Sequence, residues 1–218
     1  MPQGGGMVKL VWFRHYAANE RPGEFDRIVQ SWDTANKASE LSDFSVCTSW
    51  GIKGKDLYLL HVLRRRLEYP ELKRAVCRQA EAFNATVVLI EDKASGTQLI
   101  QELVELGLHA VTRYQPQSDK IMRMHAQTAM IENGFVHLPK EAAWLPDYLH
   151  ELTMFPGGKY DDQVDATAQL LDWLKRGSGP RSDAGIHQLH RELAERRPTA
   201  RPEPLSAIAK RLGFFRPL

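Results

Sequence analysis

The 218-residue chain is 43% hydrophobic and 26% charged, with a formal net charge of +2, a composition that excludes collagen-like, wholly disordered and membrane-spanning classes. Its only cysteines, Cys47 and Cys77, lack Cys-x-x-Cys spacing, which excludes a disulfide framework, a zinc ribbon and a redox pair. The charge is split, because nine Lys/Arg face four Asp/Glu from Arg176 onward while the remainder is slightly acidic.

Residues 1–26 carry Gly4 to Gly6, a short apolar stretch and Arg21-Pro-Gly23, and read as a leader or the remnant of a preceding linker. No signal-peptide pattern precedes them, so a cytoplasmic location is the default expectation. Arg27–Asp33, Phe44–Trp50 and Leu57–Leu63 alternate as strands joined by short turns, which predicts an antiparallel meander.

Pro70–Phe83 then carries Leu72, Ala75, Val76, Ala80 and Phe83 at helical spacing. Thr86–Glu91 is almost wholly apolar or β-branched, as in a strand covered on both faces. Residues 96–106 and 118–132 read as helices closed by Gly107 and by Asn133-Gly134, with a short strand over His109–Arg113 between them. Glu141–Leu152 is a helix interrupted by Pro146, and Asp161–Leu174 is a helix with Val164, Ala168, Leu171 and Leu174 on one face. After Arg176 the chain turns Gly/Ser- and then Pro-rich, with a short helical segment over His187–Arg196. A meander followed by βαβ alternation predicts an α/β fold, a mixed sheet with helices on both faces, over residues 27–175, with a basic Pro-rich tail over 176–218.

Carboxylates that end strands or open apolar helices are rarely left there unpaired. Asp33 closes the first strand, Glu91 and Asp92 close the buried one, and Asp161, Asp162 and Asp165 open the last helix. If the Asp33 and Glu91 strands are neighbours, their ends meet at one sheet edge. Three acids converging without Cys make a hard oxygen site, suited to Mg²⁺ or Mn²⁺. Two such ions about 3.5 to 4 Å apart activate water against a phosphodiester, which is nuclease chemistry. Taken singly, Asp161 also reads as a helix cap and Asp33 as a turn former. Asp162 and Asp165, at i and i+3, share a face. Ser95-Gly96 reads as an anion-binding helix start or a plain turn, and Arg64-Arg65-Arg66 as a phosphate-tracking run or a solvated face. Lys93, Lys120 and Arg123 are weaker DNA-contact candidates. No Gly-x-x-x-x-Gly-Lys-Ser/Thr, His-Glu-x-x-His or Gly-x-Ser-x-Gly is present.

The ordered runs Ile28-Val-Gln-Ser-Trp-Asp33-Thr-Ala35, Leu41-Ser-Asp-Phe-Ser45, Val88-Leu-Ile-Glu-Asp-Lys-Ala-Ser-Gly96 and Gly158-Lys-Tyr-Asp-Asp-Gln-Val-Asp-Ala166 resemble the C-terminal nuclease domain of tailed-phage large terminase subunits over roughly residues 24–175. The resemblance implies an RNase H-like fold and a metal-dependent endonuclease that cuts double-stranded phage DNA during genome packaging in the host cytoplasm. It implies Asp33, Glu91 and Asp162 as catalytic metal ligands with Asp165 beside them, and Asp92, Asp161 and Asp43 as alternates. The implied partners are DNA, the phage portal, the small terminase subunit and a separate ATPase, since this chain lacks the family's N-terminal ATPase domain. Rival readings keep the fold but cut RNA–DNA hybrids or branched DNA. Another makes the chain a portal-docking module, held by its basic tail with Phe214-Phe215 and carrying a vestigial site.

Overall fold

The computed structural model describes residues 6–34, 44–93 and 95–177. Asp43 and the tail from 178, with Phe214-Phe215, lie outside the described residues. In chain order the elements are β1 (Arg14–Tyr16), β2 (Arg27–Asp33), β3 (Ser45–Lys53), β4 (Asp56–Arg65), α1 (Tyr69–Phe83), β5 (Val87–Glu91), α2 (Ser95–Glu105), β6 (Val111–Tyr114), α3 (Lys120–Glu132), β7 (Val136–Pro139), α4 (Leu145–Met154) and α5 (Asp162–Gly177).

The strands form one mixed sheet in the order β1-β7-β4-β3-β2-β5-β6. β2, β3 and β4 are the antiparallel meander, turning at Gly54, whose φ of 58° suits a residue without Cβ. Beyond β2 the pairing becomes parallel, β2 to β5 and β5 to β6, so the connections must cross over through α1 and α2. Every residue of β3 from Ser45 to Ile52 is buried, as are Val29 to Trp32 of β2 and Val88 to Ile90 of β5. Burial of successive residues, whose side chains point to opposite faces, requires cover on both sides of the sheet.

The parallel register pairs Val29 with Val87 and Trp32 with Ile90. Asp33 and Glu91 are therefore the next residues on two adjacent strands, at the same edge. That juxtaposition is the structural basis of the site.

Four elements depart from the sequence expectations. Residues 8–26 are more than a leader: Arg14–Tyr16 pairs in parallel with β7, Val8, Phe13 and Tyr16 are buried, and the Tyr16 hydroxyl donates to the Leu59 carbonyl at 2.7 Å. β7 itself is an addition, since four residues ending in proline carry too little pattern to read as a strand. α4 starts at Leu145, with Pro146 in its first turn, where proline's missing N–H costs nothing. β6 begins at Val111 instead of His109. Residues through Asp172 form one compact unit; of the second, only Trp173–Gly177 lies within the described residues.

Candidate functional site

A cleft of about 350 Å³ opens where β2 and β5 end, lined by Asp33, Glu91, Lys93, Asp119, Lys120, Arg123, Asp161, Asp162 and Asp165 among others. β2 and β5 deliver Asp33 and Glu91. The first turn of α5 delivers Asp162 and Asp165, one turn apart on the same face. Asp161 precedes the helix and accepts the Asp165 N–H on its backbone carbonyl at 2.8 Å. α3 also lines the cleft, its start fixed by the Asp119 carboxylate, which accepts from Met122 N at 2.9 Å.

The close packing of β5 against α2 holds Glu91 in place. A Cβ on Gly96 would stand 2.1 Å from the Glu91 carbonyl oxygen, so only glycine lets α2 start this near the strand end. The Gly96 N–H is itself bonded to the Lys93 carbonyl at 3.0 Å and is not offered to a ligand. Asp92, next in sequence, turns to Arg113, whose Nη1 lies 3.2 Å from both carboxylate oxygens. A bond from the Thr97 hydroxyl, reinforced by Arg113, holds its carboxyl below the usual range. Glu91, not Asp92, faces the cleft.

Charge crowding marks the centre. Asp33 holds its proton well above the ordinary carboxylate range, first because burial disfavours the charged form, then because Asp165, Asp162 and Glu91 repel it, with Lys120 opposing. Acids from β5 and α5 thus act on the one that ends β2. Asp162 is pushed up to about 6, by burial first and then by Glu151, against the pull of Arg64.

The basic residues are engaged with these acids. Lys120 Nζ pairs with Asp161 and stands 3.2 Å from Asp165 Oδ2. Burial works against the Lys120 charge, yet Asp161 and Asp165 hold its ammonium above its ordinary value. Arg123 is buried, with Nη2 donating to Asp165 Oδ1 at 2.8 Å. Arg123, a DNA-contact candidate in the sequence, has its guanidinium engaged by Asp165 within the cleft lining. That pairing also bears on Asp165 as a ligand, since both of its oxygens are held by cations. Lys93, the remaining DNA-contact candidate, is exposed at the mouth of the cleft.

Two participants take places that the sequence expectations did not give them. Arg64 lies with its guanidinium carbon 3.8 Å from the centre of the Phe44 ring and 4.7 Å from that of Tyr160, with Nη2 at 3.9 Å from Asp162 Oδ2 and Nε at 3.9 Å from Glu151 Oε2. It points into the protein instead of tracking a backbone. Glu151 is buried on α4 and accepts from the backbone N–H and side-chain Nε2 of Gln163, both at 2.6 Å. Its sequence signal is an acid between Tyr148 and Leu152 on the buried face of α4.

Among the described residues no three His, Cys, Asp or Glu side chains close up as a finished metal cage. The donor set nevertheless fits a hard divalent cation in kind, being all carboxylate oxygen around an Asp33 whose charge three neighbours oppose.

Comparison with known proteins adds an independent line. A model of the terminase RNase H-like domain matches residues 30–173. The large terminase nuclease of thermophilic phage G20c with bound cobalt is similar at TM-score 0.55 and 17% identity, over 76% of this chain and 92% of that one. The nuclease domain of the large terminase of bacteriophage SPP1 with bound Mn is similar at TM-score 0.52 and 15% identity, over 78% and 99%. The large terminase of a second thermophilic bacteriophage aligns at TM-score 0.57 and 12% identity over 76% of this chain. The chain spans 44% of that protein. No curated protein matches in sequence. The fold is RNase H-like.

Proposed function

The chain belongs to the terminase RNase H-like domain family, and from that membership and the acidic cleft we propose that it is a divalent-metal-dependent endonuclease cutting double-stranded DNA in phage genome packaging. The observation that carries the reading is that Asp33, Glu91, Asp162 and Asp165, delivered by three elements, line one cleft. Such a cluster is a poor choice for stability alone, because like charges gathered in one cleft repel one another.

Asp33, Glu91 and Asp162 would hold Mg²⁺ or Mn²⁺, with Asp161 and Asp165 beside them. The bound cation would supply a Lewis acid toward the phosphodiester and water of lowered pKa. The protein's own groups do the positioning. The β2–β5 register fixes Asp33 beside Glu91, and Gly96 keeps the end of β5 close to α2. Glu151 and Arg64 stand against Asp162 from behind. Lys93, exposed at the mouth, supplies a positive charge toward the DNA backbone. Hydrolysis adds water across the phosphodiester, leaving 5′-phosphate and 3′-hydroxyl ends.

The body is slightly acidic, so productive DNA engagement draws on other packaging components: the portal, the small terminase subunit and a separate ATPase are the proposed partners, in the host cytoplasm. No helix of the described residues is long and apolar enough to cross a membrane. The test is Asp33→Asn. It should abolish Mn²⁺-dependent nicking and linearisation of plasmid DNA while leaving the circular dichroism spectrum intact; retained cleavage would contradict the assignment.

A further inference from the structure

Lys120 is the first residue of α3, and its ammonium reaches across the cleft to the acids of α5. It pairs with Asp161 and lies 3.2 Å from Asp165 Oδ2, while the other oxygen of Asp165 takes Arg123 at 2.8 Å. The two cations differ in one decisive respect: the Arg123 side chain is 7% exposed and that of Lys120 is 44% exposed. Removing the guanidinium from Asp165 would leave a charge unpaired inside the protein. The ammonium, on a flexible four-carbon stem with solvent beside it, exchanges its partners for water at little cost.

A divalent cation entering this cleft meets carboxylates already engaged by Lys120, and the two charges compete for the same negative field. Resting on the metal-dependent reading above, we infer that Lys120 is a displaceable internal counter-ion that sets how tightly the cleft binds a divalent cation. It holds Asp161 and Asp165 together until the cation enters and is then released into the cleft. Arg123 stays with Asp165 throughout, so that acid anchors the local charges and does not itself move toward the incoming ion.

Lys120→Met keeps the stem length and removes the charge. In isothermal titrations of the full chain with Mn²⁺, in the absence of DNA, this variant should bind about tenfold more tightly than wild type at low ionic strength. Added salt should shrink that gap. Lys120→Arg, which keeps a cation in place, should bind no more tightly than wild type. Thermal unfolding in EDTA checks that each variant folds, and Lys120→Gln replaces the Met variant should that one fail to fold. Equal affinities for wild type and Lys120→Met would overturn the inference while leaving the metal site standing. Weaker binding by Lys120→Met, or tighter binding by Lys120→Arg, would overturn it as well. No Mn²⁺ binding by any of the proteins would overturn both the inference and the metal-dependent reading.

Discussion

Gln169 on α5 donates from Nε2 to the backbone carbonyl of Trp32 at 3.4 Å, and both residues are buried. The helix that carries Asp162 and Asp165 is therefore tied to the residue immediately before Asp33. Strand end and helix start are two sides of one construction, and the acids meet because the core beneath them is shared. Trp32, Val164, Ala168 and Leu171 belong to that core and are fully buried.

Gly96 is the tightest mechanical constraint on the cleft. Its substitution by Ala places a methyl 2.1 Å from the Glu91 carbonyl oxygen, a contact with backbone that no rotamer change relieves. Gly96→Ala should cost about 2 kcal/mol or more in urea unfolding and should lower Mn²⁺ affinity by displacing Glu91. A variant with unchanged stability and unchanged metal affinity would show that the strand and helix separate freely.

Stability should respond to pH in a way that isolates Asp162. Its proton is held more tightly in the folded protein, at about 6 against an ordinary 3.8. As pH rises through that window the unfolded chain gives up the proton first, so the contribution of Asp162 to stability falls between about pH 4 and 6 and no further above it. Asp162→Asn has no such proton. In EDTA, the variant's stability relative to wild type should therefore climb across pH 4 to 6, by on the order of 2 kcal/mol, and then level off. A difference that is flat across the window would refute the crowding of Asp162.

Glu151 should behave as a buried structural acid. Ala at this position strands the Gln163 N–H and leaves Arg64 facing a cavity, at a cost of about 3 to 5 kcal/mol in chemical denaturation. Gln keeps an acceptor oxygen for the Gln163 N–H and should cost distinctly less. Equal losses for the two variants would mean that the carboxylate's charge, which both remove, is what matters, and that its volume and a single acceptor oxygen do not.

How much of this is readable in the residues alone follows from what carries a pattern. β2 has the bounds that its sequence predicts, Arg27–Asp33, and the acidic edge comes with it, because alternation and a terminal Asp are local signals. The meander and the helices over 69–83 and 120–132 are legible for the same reason. β1 and β7 are not: three and four residues long, they are strands only because each finds a parallel partner distant in sequence. Asp92 and Glu91 are indistinguishable as a dipeptide, and the choice between them depends on Arg113 standing opposite Asp92. Arg123 and Arg64 read as surface cations because charge is local information, whereas their placement against Asp165 and Asp162 belongs to tertiary structure.

The most direct measurement is anomalous scattering from a crystal of the protein soaked in Mn²⁺. The expected result is a manganese peak in the cleft, bound by carboxylate oxygens of Asp33, Glu91 and Asp162, and lost in Asp33→Asn. A fully soaked crystal with manganese elsewhere and none at these acids would contradict the account.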